Sequence, residues 1–450
     1  MDRKSSLWLV FILCLAVITA CGAPAAPAAA PTLTEPPREA PPGETAAPLP
    51  STATLAPSPT PELLLPTATL VPSITPTPLP TQNPNQVNHL LPGETLNLSV
   101  IDMKSETSGW AVASGVNDLN GHILYTRDGA ATWQDLTPPE PLDPAAGVVK
   151  LAIPFFLDET HAWVVFSNMN HAPQSAPPQV WFTADAGQSW TASTLLDQGQ
   201  GADFFAPNML SFSDVQHGWL LVHVGAGMSH DYVFIFSTSD GGKNWQRIVD
   251  PWLDNLDMSC GKTGMIFASP QKGYVSGDCY GVVPASVYFY LTLDGGKTWN
   301  PVTLTTPADS PYLFTNQDNA CGGYDPTFVS VTNGWLVVKC NHYDVIHAVN
   351  WLYTTTNGGL NWTPYSLPAV VDSIQFIDAQ QGWMVGGQSI FATRNGGKSW
   401  KELAKLNWTG QPNFATAKTG WVLAKAGVSL ALVKSIDGGV TWVEIKPVVK

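Results

Sequence analysis

The sequence predicts an all-β protein built from a repeated four-stranded unit. Only 12% of its residues are charged, whereas Gly 38, Pro 39 and Trp 18 are abundant, a composition typical of turns and aromatic packing rather than of helices. A short turn followed by tryptophan returns seven times between residues 96 and 446. Four strands in a repeat of this length indicate the blade of a β-propeller. We therefore expect a seven-bladed β-propeller of four-stranded antiparallel blades.

Each repeat turn ends in tryptophan and holds an acidic or amide residue five positions earlier. The pairs are Asp128 and Trp133, Asp185 and Trp190, Asp240 and Trp245, Asp294 and Trp299, Asn357 and Trp362, Asn395 and Trp400, and Asp437 and Trp442. The side-chain oxygen of such a turn can accept backbone N–H groups, and its glycines supply positive φ. The tryptophan packs back over the hairpin. We interpret these residues as structural.

A second aromatic column precedes each turn, and most of its members follow a glycine. It consists of Trp110, Trp163, Trp219, Tyr274, Trp335, Trp383 and Trp421. The sixth repeat alternates most regularly, with strands predicted at Ser373–Asp378, Trp383–Val385, Ser389–Thr393 and from Trp400. Because the first repeat starts with its first strand and the last ends with its fourth, we expect the propeller to close by whole blades.

The turn consensus resembles the Asp-box, or bacterial neuraminidase, repeat of β-propellers over residues 96–446. With the Gly–Trp strand added, the chain is most similar to the photosystem II assembly and stability factor group, and more distantly to sortilin-type receptors and sialidases. This resemblance implies an exported, non-enzymatic assembly scaffold. From residue 86 onwards there are 18 basic and 30 acidic residues, without the arginine patch expected of those factors, so a photosynthetic role does not follow.

The N-terminal segment predicts export. Residues 1–20 have a basic start and a short apolar run, as in a cleaved signal peptide. They lead into the sequence ITAC, which resembles the lipobox of bacterial lipoproteins and implies that Cys21 carries a lipid anchor. Residues 21–88 are rich in Pro, Thr and Ala, which is typical of an extended, disordered stalk, and residues 89–450 form the predicted propeller. We expect a protein on the extracytoplasmic face of a bacterial cell envelope, held to the membrane by its anchor only.

Four cysteines remain outside the signal peptide and anchor, in two pairs with the same spacing. They are Cys260, Cys279, Cys321 and Cys340, and the separation is 19 residues in both pairs. An even number at a repeated spacing outside the cytoplasm predicts disulfides, here Cys260–Cys279 and Cys321–Cys340. Pairing across the two blades and free buried thiols are the alternatives.

The sequence predicts no catalytic residue, no metal ligand and no cofactor. A sialidase needs three convergent arginines, yet the propeller has Arg127, Arg247 and Arg394, two of them inside repeat turns. A glycosidase needs two facing carboxylates, and the candidates outside the repeat turns are Asp214, Asp231, Asp278, Asp325, Asp344 and Asp378. No pair among them stands out. The group His342, Asp344 and His347 is too sparse for a zinc site.

Charge and loop composition indicate the class of partner. A net charge of −14 argues against nucleic acid. Repeats two to five carry insertions with aromatic residues, and loops concentrate recognition residues. The candidate binding rim consists of Trp252, Tyr312, Phe314, Tyr324 and Tyr343, and packing under their own loops is the alternative. We expect a non-catalytic scaffold that binds a protein or membrane complex, with polysaccharide binding or glycoside hydrolysis as the alternative.

Overall fold

The computed structural model describes residues 83, 85–142, 149–168, 177–199, 202–253, 255–279, 287–315, 319–342 and 345–450. The predicted signal peptide, Cys21 and the predicted stalk as far as residue 82 lie outside the described residues. Val87, at the predicted end of the stalk, is buried and its backbone N–H donates to Glu140 O at 2.8 Å. The packed structure therefore includes residues shortly before 89.

The described chain is all-β, and strands β1 to β28 fall into seven successive groups of four antiparallel strands. The fourth and fifth groups are joined into one eight-stranded sheet, because Asp278 of the second strand in one pairs with Gly322 of the first strand in the other. Groups 1 to 4 consist of β1 (Asn97–Met103), β2 (Gly109–Ser114), β3 (His122–Thr126), β4 (Thr132–Asp135), β5 (Lys150–Phe156), β6 (Ala162–Asn168), β7 (Val180–Thr183), β8 (Thr191–Ala192), β9 (Ala206–Phe212), β10 (Gly218–Gly227), β11 (His230–Thr238), β12 (Gln246–Val249), β13 (Gly261–Phe267), β14 (Gly273–Asp278), β15 (Tyr288–Thr292) and β16 (Asn300–Pro301). Groups 5 to 7 consist of β17 (Asn319–Phe328), β18 (Gly334–His342), β19 (Val345–Thr355), β20 (Thr363–Ser366), β21 (Val371–Phe376), β22 (Gly382–Gly386), β23 (Ser389–Thr393), β24 (Lys401–Lys405), β25 (Pro412–Phe414), β26 (Gly420–Ala426), β27 (Ser429–Ser435) and β28 (Val443–Ile445), and β29 (Val448–Val449) follows.

Within each group the strands pair in sequence order, so each group is a meander. Every residue of β6, β14 and β22 is buried, as expected of strands that are covered on both faces by neighbouring sheets. The first strands of the groups lie around a common channel. Consecutive meanders around a channel are the arrangement of a β-propeller, and the predicted all-β fold class is confirmed.

Most first strands carry a β-bulge, in which one strand has an extra residue opposite its partner. The extra residue is Ser99 in β1, Asn208 in β9, Thr263 in β13 and Asp372 in β21, and in β17 Asp325 and Pro326 together oppose one residue of β18. A bulge re-aims the side chain of the extra residue. These bulges therefore decide which polar side chains reach the centre of the propeller.

The acidic or amide side chain of each repeat turn is used within that turn. In the first turn, Asp128 Oδ1 accepts the backbone N–H of Thr132 at 2.9 Å, and Asp128 Oδ2 accepts its hydroxyl at 2.6 Å. The backbone bond recurs, four residues apart, in all six other turns. The turn tryptophans Trp133, Trp245, Trp299, Trp400 and Trp442 donate Nε1 to a carbonyl of their own turn.

The second aromatic column joins neighbouring groups instead. Trp163 Nε1 in group 2 donates to Gly241 O in the repeat turn of group 3, at 2.8 Å. The bond recurs, always to the first glycine of the next repeat turn, from Trp219 to Gly295, Tyr274 to Gly358, Trp335 to Gly396, Trp383 to Gly438 and Trp421 to Gly129. Trp110 differs, because it donates to Asp158 O. We call the six recurring contacts the inter-group bonds.

Stacking accompanies these bonds. The ring of Trp219 lies 3.6 Å from that of Phe267, the last residue of the next first strand, and the two rings are parallel within 1°. Trp163 on Phe212, Trp335 on Phe376 and Trp383 on Phe414 repeat the contact, each at 3.8 Å. In groups 2, 3, 5 and 6 a polar bond and an aromatic stack therefore fix the group against the next.

The last group closes onto the first. Every group consists of consecutive strands, in agreement with closure by whole blades, and the Met103 backbone N–H donates to Asn413 Oδ1 at 2.7 Å across the seam. The short strand β29 was not predicted. It pairs in parallel with β4, with Val448 opposite Thr132, and becomes a fifth strand of the first sheet.

Both predicted disulfides are present. Cys260 is bonded to Cys279 in group 4, and Cys321 to Cys340 in group 5. Cys321 and Cys340 are also direct partners across β17 and β18. Each bond joins the first and second strands of one group, or the residue just outside them, so neither alternative pairing applies.

Candidate functional site in the central channel and on the loop face

The meander sorts the loops of the propeller onto two faces. Turns between strands one and two and between strands three and four lie at one end of each group, and all other connections lie at the opposite end. All seven repeat turns join strands three and four, so we call the first end the turn face. The described strand ends that flank the insertions 168–180, 224–232 and 306–324 lie at the opposite end, the loop face, together with both disulfides.

The first strands surround a central channel of about 1000 Å³. Its wall is mostly apolar along groups 2 to 4 and mostly polar along groups 5 to 7. Groups 2 to 4 contribute Ala152, Ile153, Pro154, Asn208, Met209, Leu210, Thr263 and Met265; groups 5 to 7 contribute Asp325, Lys339, Asp372, Ser373, Thr409 and Gln411 among others. Among the described residues that line the channel there is no aromatic side chain.

Two carboxylates and one ammonium group face the channel. Asp325 and Asp372 stand at bulges, and Lys339 extends from β18. Desolvation by the surrounding strands raises the pKa of Asp325, although the residue is exposed to the channel, and the charge of Lys339 opposes the rise. The same two effects, burial first, raise the pKa of Asp372. Within the described part of the chain, neither carboxylate accepts a hydrogen bond.

The backbone at Asp325 is unusual. Its φ is 47°, a left-handed conformation that is uncommon outside glycine but that aspartate adopts more readily than most residues. The bulge and this conformation together turn the Asp325 side chain into the channel. Strained residues cluster at functional sites, so the channel wall at β17 is a candidate site.

Of the six aspartates considered as catalytic candidates, the structure brings Asp325 to the channel. Asp344 lies outside the described residues, and the others are held by hydrogen bonds elsewhere: Asp214, Asp231, Asp278 and Asp378. The second channel carboxylate, Asp372, was missed. Asp372 lies ten residues before Gly382, the glycine that precedes the second aromatic column. Asn208 and Thr263 lie ten residues before the equivalent glycines, Gly218 and Gly273. This shared spacing is the sequence pattern that could have identified Asp372.

The residues of the predicted binding rim differ in exposure. Trp252 and Tyr312 are each 75% exposed on the loop face. Phe314 is half-buried and lies 6.4 Å from the ring of Tyr353. Tyr324 is half-buried within β17 and donates its hydroxyl to Asp278, and Tyr343 lies outside the described residues. Two of the four described members are therefore accessible to a partner.

A buried ionic network lies at the loop-face end of group 1. Asp135 accepts the Leu90 backbone N–H at 2.7 Å and lies 2.9 Å from His122 Nδ1, whose Nε2 is 3.4 Å from Asp118. Burial would lower the pKa of His122, but the hydrogen bonds with Asp118 and Asp135 outweigh it and raise this pKa to about 9. Burial would raise the pKa of Asp135, but His122, His89 and Thr137 hold it well below its usual range. The network fixes the segment that leads into β1.

Other candidate chemistry is sparse. Arg127, Arg247 and Arg394 lie over the rings of Tyr125, Phe234 and Trp383, and none of the three lines the channel. Within the described ranges, no group of three or more His, Cys, Asp or Glu side chains could hold a metal ion. The same ranges contain no helix long and apolar enough to cross a bilayer.

Comparison with known proteins gives distant structural likenesses. No protein-family model and no curated protein sequence matches the chain. The solved structure of YCF48 from Cyanidioschyzon merolae is 17% identical, with 77% of this chain and 97% of that chain covered and a TM-score of 0.44. The Aleuria aurantia lectin is 12% identical, with coverage of 80% and 97% and a TM-score of 0.38.

An enzyme is also among the similar structures. The GH74 enzyme of Niastella koreensis is 13% identical, with 78% of this chain and 62% of that chain covered and a TM-score of 0.31. A likeness at this level carries no inference about activity.

Proposed function

We propose that the chain is a non-catalytic, lipid-anchored scaffold whose loop face binds a protein partner outside the bacterial cytoplasm. The observation that carries this proposal is the exposure of Trp252 and Tyr312, each 75%, on one face. Tryptophan and tyrosine are enriched among the residues that dominate binding energy at protein interfaces. Within the described residues these are the two aromatic side chains that are mainly exposed.

Further features support the same proposal. Both disulfides lie on the loop face, where each ties the first two strands of its group together. The lipobox-like sequence at Cys21 and the proline-rich stalk would hold a seven-bladed propeller of the Asp-box type away from the membrane surface. A rigid loop face at the end of an extended stalk could reach and bind a partner protein in the cell envelope.

The test is a quantitative pull-down from native membranes with the full anchored chain. We expect an enriched envelope protein, and we expect Trp252→Ala with Tyr312→Ala to reduce its recovery by about tenfold or more. The matched control is Leu360→Ala with Ile436→Ala, since these side chains are 71% and 72% exposed in repeat turns. Equal losses in both double variants, or no enriched protein, would refute the loop face as the binding surface.

A second candidate function is glycan binding or hydrolysis in the channel. It is favoured by the two carboxylates, Asp325 and Asp372, that face the same channel, because glycoside hydrolysis uses a carboxylate pair. The test is hydrolysis of a polysaccharide panel by the wild type, Asp325→Asn and Asp372→Asn. Hydrolysis that either substitution abolishes would replace the non-catalytic proposal, whereas hydrolysis unaffected by both would come from a contaminant.

A further inference from the structure

A second cavity, of about 300 Å³, lies on the loop face beside group 3. Among the described residues it is lined by three aromatic side chains, Tyr232, Phe234 and Trp252, and by one charged side chain, Asp203. Its volume is at the lower end of the roughly 300–1,000 Å³ found for small-molecule pockets. We call it the aromatic pocket. It shares no lining residue with the central channel.

The floor of the aromatic pocket depends on a glycine. A β-carbon on Gly225 would lie 3.3 Å from Tyr232 Cδ2 and 3.4 Å from Asp203 Oδ2, so the carboxylate and the ring edge converge over this residue. A bulge at Val224 leaves the Val224 carbonyl free to accept the backbone N–H of Asp203 at 2.9 Å. The bulge therefore fixes the loop that carries the carboxylate.

The opposite wall is held by a chain of polar contacts. Asp250 Oδ1 accepts the Trp252 backbone N–H at 3.0 Å, and Asp250 Oδ2 lies 3.2 Å from Arg247 Nε. The Arg247 guanidinium lies 4.5 Å from the ring of Phe234 and is paired with Asp197 as well as Asp250. The positive charge of Arg247 is therefore balanced by two carboxylates. The charged side chain that lines the pocket is Asp203, so the pocket presents a negative charge to a ligand.

We propose that the aromatic pocket binds the alkylammonium group of a soluble small organic cation. Aromatic faces attract cations, and quaternary ammonium groups in particular are recognised by clustered rings. Asp203 accepts no side-chain hydrogen bond within the described part of the chain, so its carboxylate is available to the ligand. An anion would be repelled by Asp203, and a neutral apolar ligand would leave this carboxylate without a partner.

The experiment measures choline and its neutral carbon isostere, 3,3-dimethylbutan-1-ol, by ligand-detected NMR titration of the full chain. The two probes have the same shape, so their difference isolates the charge. We expect choline to bind about tenfold more tightly than the alcohol. Asp203→Asn should remove this difference, and Trp252→Ala should weaken choline about tenfold. Leu253→Ala is the control, because Leu253 is 61% exposed beside the pocket but does not line it.

Three results would overturn the proposal: equal binding of the two probes, no binding of choline, or choline binding that survives both pocket substitutions. If the protein is retained on phosphatidylcholine vesicles and this retention depends on Trp252, the ligand is a lipid headgroup and not a soluble cation. The outcome is separable from that of the scaffold proposal. Asp203→Asn tests the pocket without removing an exposed aromatic residue, and the protein pull-down depends on Tyr312, which lies outside the pocket.

Discussion

Trp421 and Gly129 are 292 residues apart in sequence, yet Trp421 Nε1 donates to Gly129 O at 3.1 Å. This contact is the inter-group bond that joins the last group to the first. Beside it, β29 pairs with β4 on the outer edge of the first sheet. The ends of the propeller are therefore joined by the same bond that joins its interior groups, with one additional strand.

Loss of the Trp421–Gly129 bond should loosen the contact between the last group and the first. Trp421→Phe keeps an aromatic ring but removes the donor, and we expect the free energy of unfolding to fall by about 1 kcal/mol. The matched control is Trp442→Phe, which removes a 3.1 Å bond to Gly439 O within its own turn. Hydrogen exchange should increase at β1 and β29 in the first variant only. Equal exchange in the two variants would show that Trp421 does not hold the seam.

Local patterns in the sequence predicted more of this structure than distant ones. The turn residues Asp128 and Trp133 were predicted because their bonds connect residues only three or four positions apart. The inter-group bonds escaped prediction, since Trp163 and Gly241 are 78 residues apart and no local pattern pairs them. The channel carboxylate Asp372 was missed for another reason. A bulge breaks the alternation of its strand, so the two-residue period assigns it to no face.

The two disulfides should contribute similarly, because their loops have the same length. On loop length alone, each stabilises the fold by about 3 kcal/mol, and we expect this loss for Cys260→Ser with Cys279→Ser and for Cys321→Ser with Cys340→Ser. Urea unfolding of both double variants measures it. A reducing agent should lower the stability of each variant further but should leave the quadruple variant unchanged. A reductant effect on the quadruple variant would contradict the assignment.

Asp325 should destabilise the fold at neutral pH. Its pKa in the folded state is raised by burial, so the folded protein favours the protonated carboxyl. The stability gained from this proton is complete below the ordinary carboxyl pKa and is lost as the pH rises through the pKa of the folded state. Asp325→Asn should therefore be more stable than the wild type at pH 7 and equal to it near pH 3. For Asp378 burial would raise the pKa, but hydrogen bonds from Gln380 and Gln381 lower it, so Asp378→Asn should lose stability at pH 7. Thermal unfolding at pH 7 and pH 3 measures whether Asp325→Asn raises the stability and Asp378→Asn lowers it at the higher pH.

The buried pair Asp135 and His122 should stabilise the fold over a limited range of pH. The pKa of Asp135 is lowered, so its contribution is present above its unfolded value of 3.8 and is lost as pH falls. The pKa of His122 is raised from 6.5 to about 9, so its contribution is complete below pH 6.5 and is lost as pH rises through about 9. The pair therefore stabilises most between about pH 4 and 6.5.

Asp135→Asn tests this window. It leaves His122 buried beside a neutral amide, and breaking a buried ion pair on one side costs about 3–5 kcal/mol. We expect the difference in unfolding free energy from the wild type to be largest near pH 5 and to shrink above pH 9. A difference that does not change with pH would mean that Asp135 acts through packing alone.

The glycine before the second aromatic column is required by close approach rather than by backbone conformation. A β-carbon on Gly218 would lie 2.3 Å from Phe212 Cε1, inside the ring that stacks on Trp163. Gly218→Ala should therefore displace this ring and cost about 1–3 kcal/mol. Group 2 provides the control, since it has Ala162 at the equivalent position and already accommodates a β-carbon. Ala162→Gly should cost only about 0.5–1 kcal/mol, from backbone entropy. Equal losses for the two substitutions in urea unfolding would show that the Phe212 stack tolerates the extra methyl group.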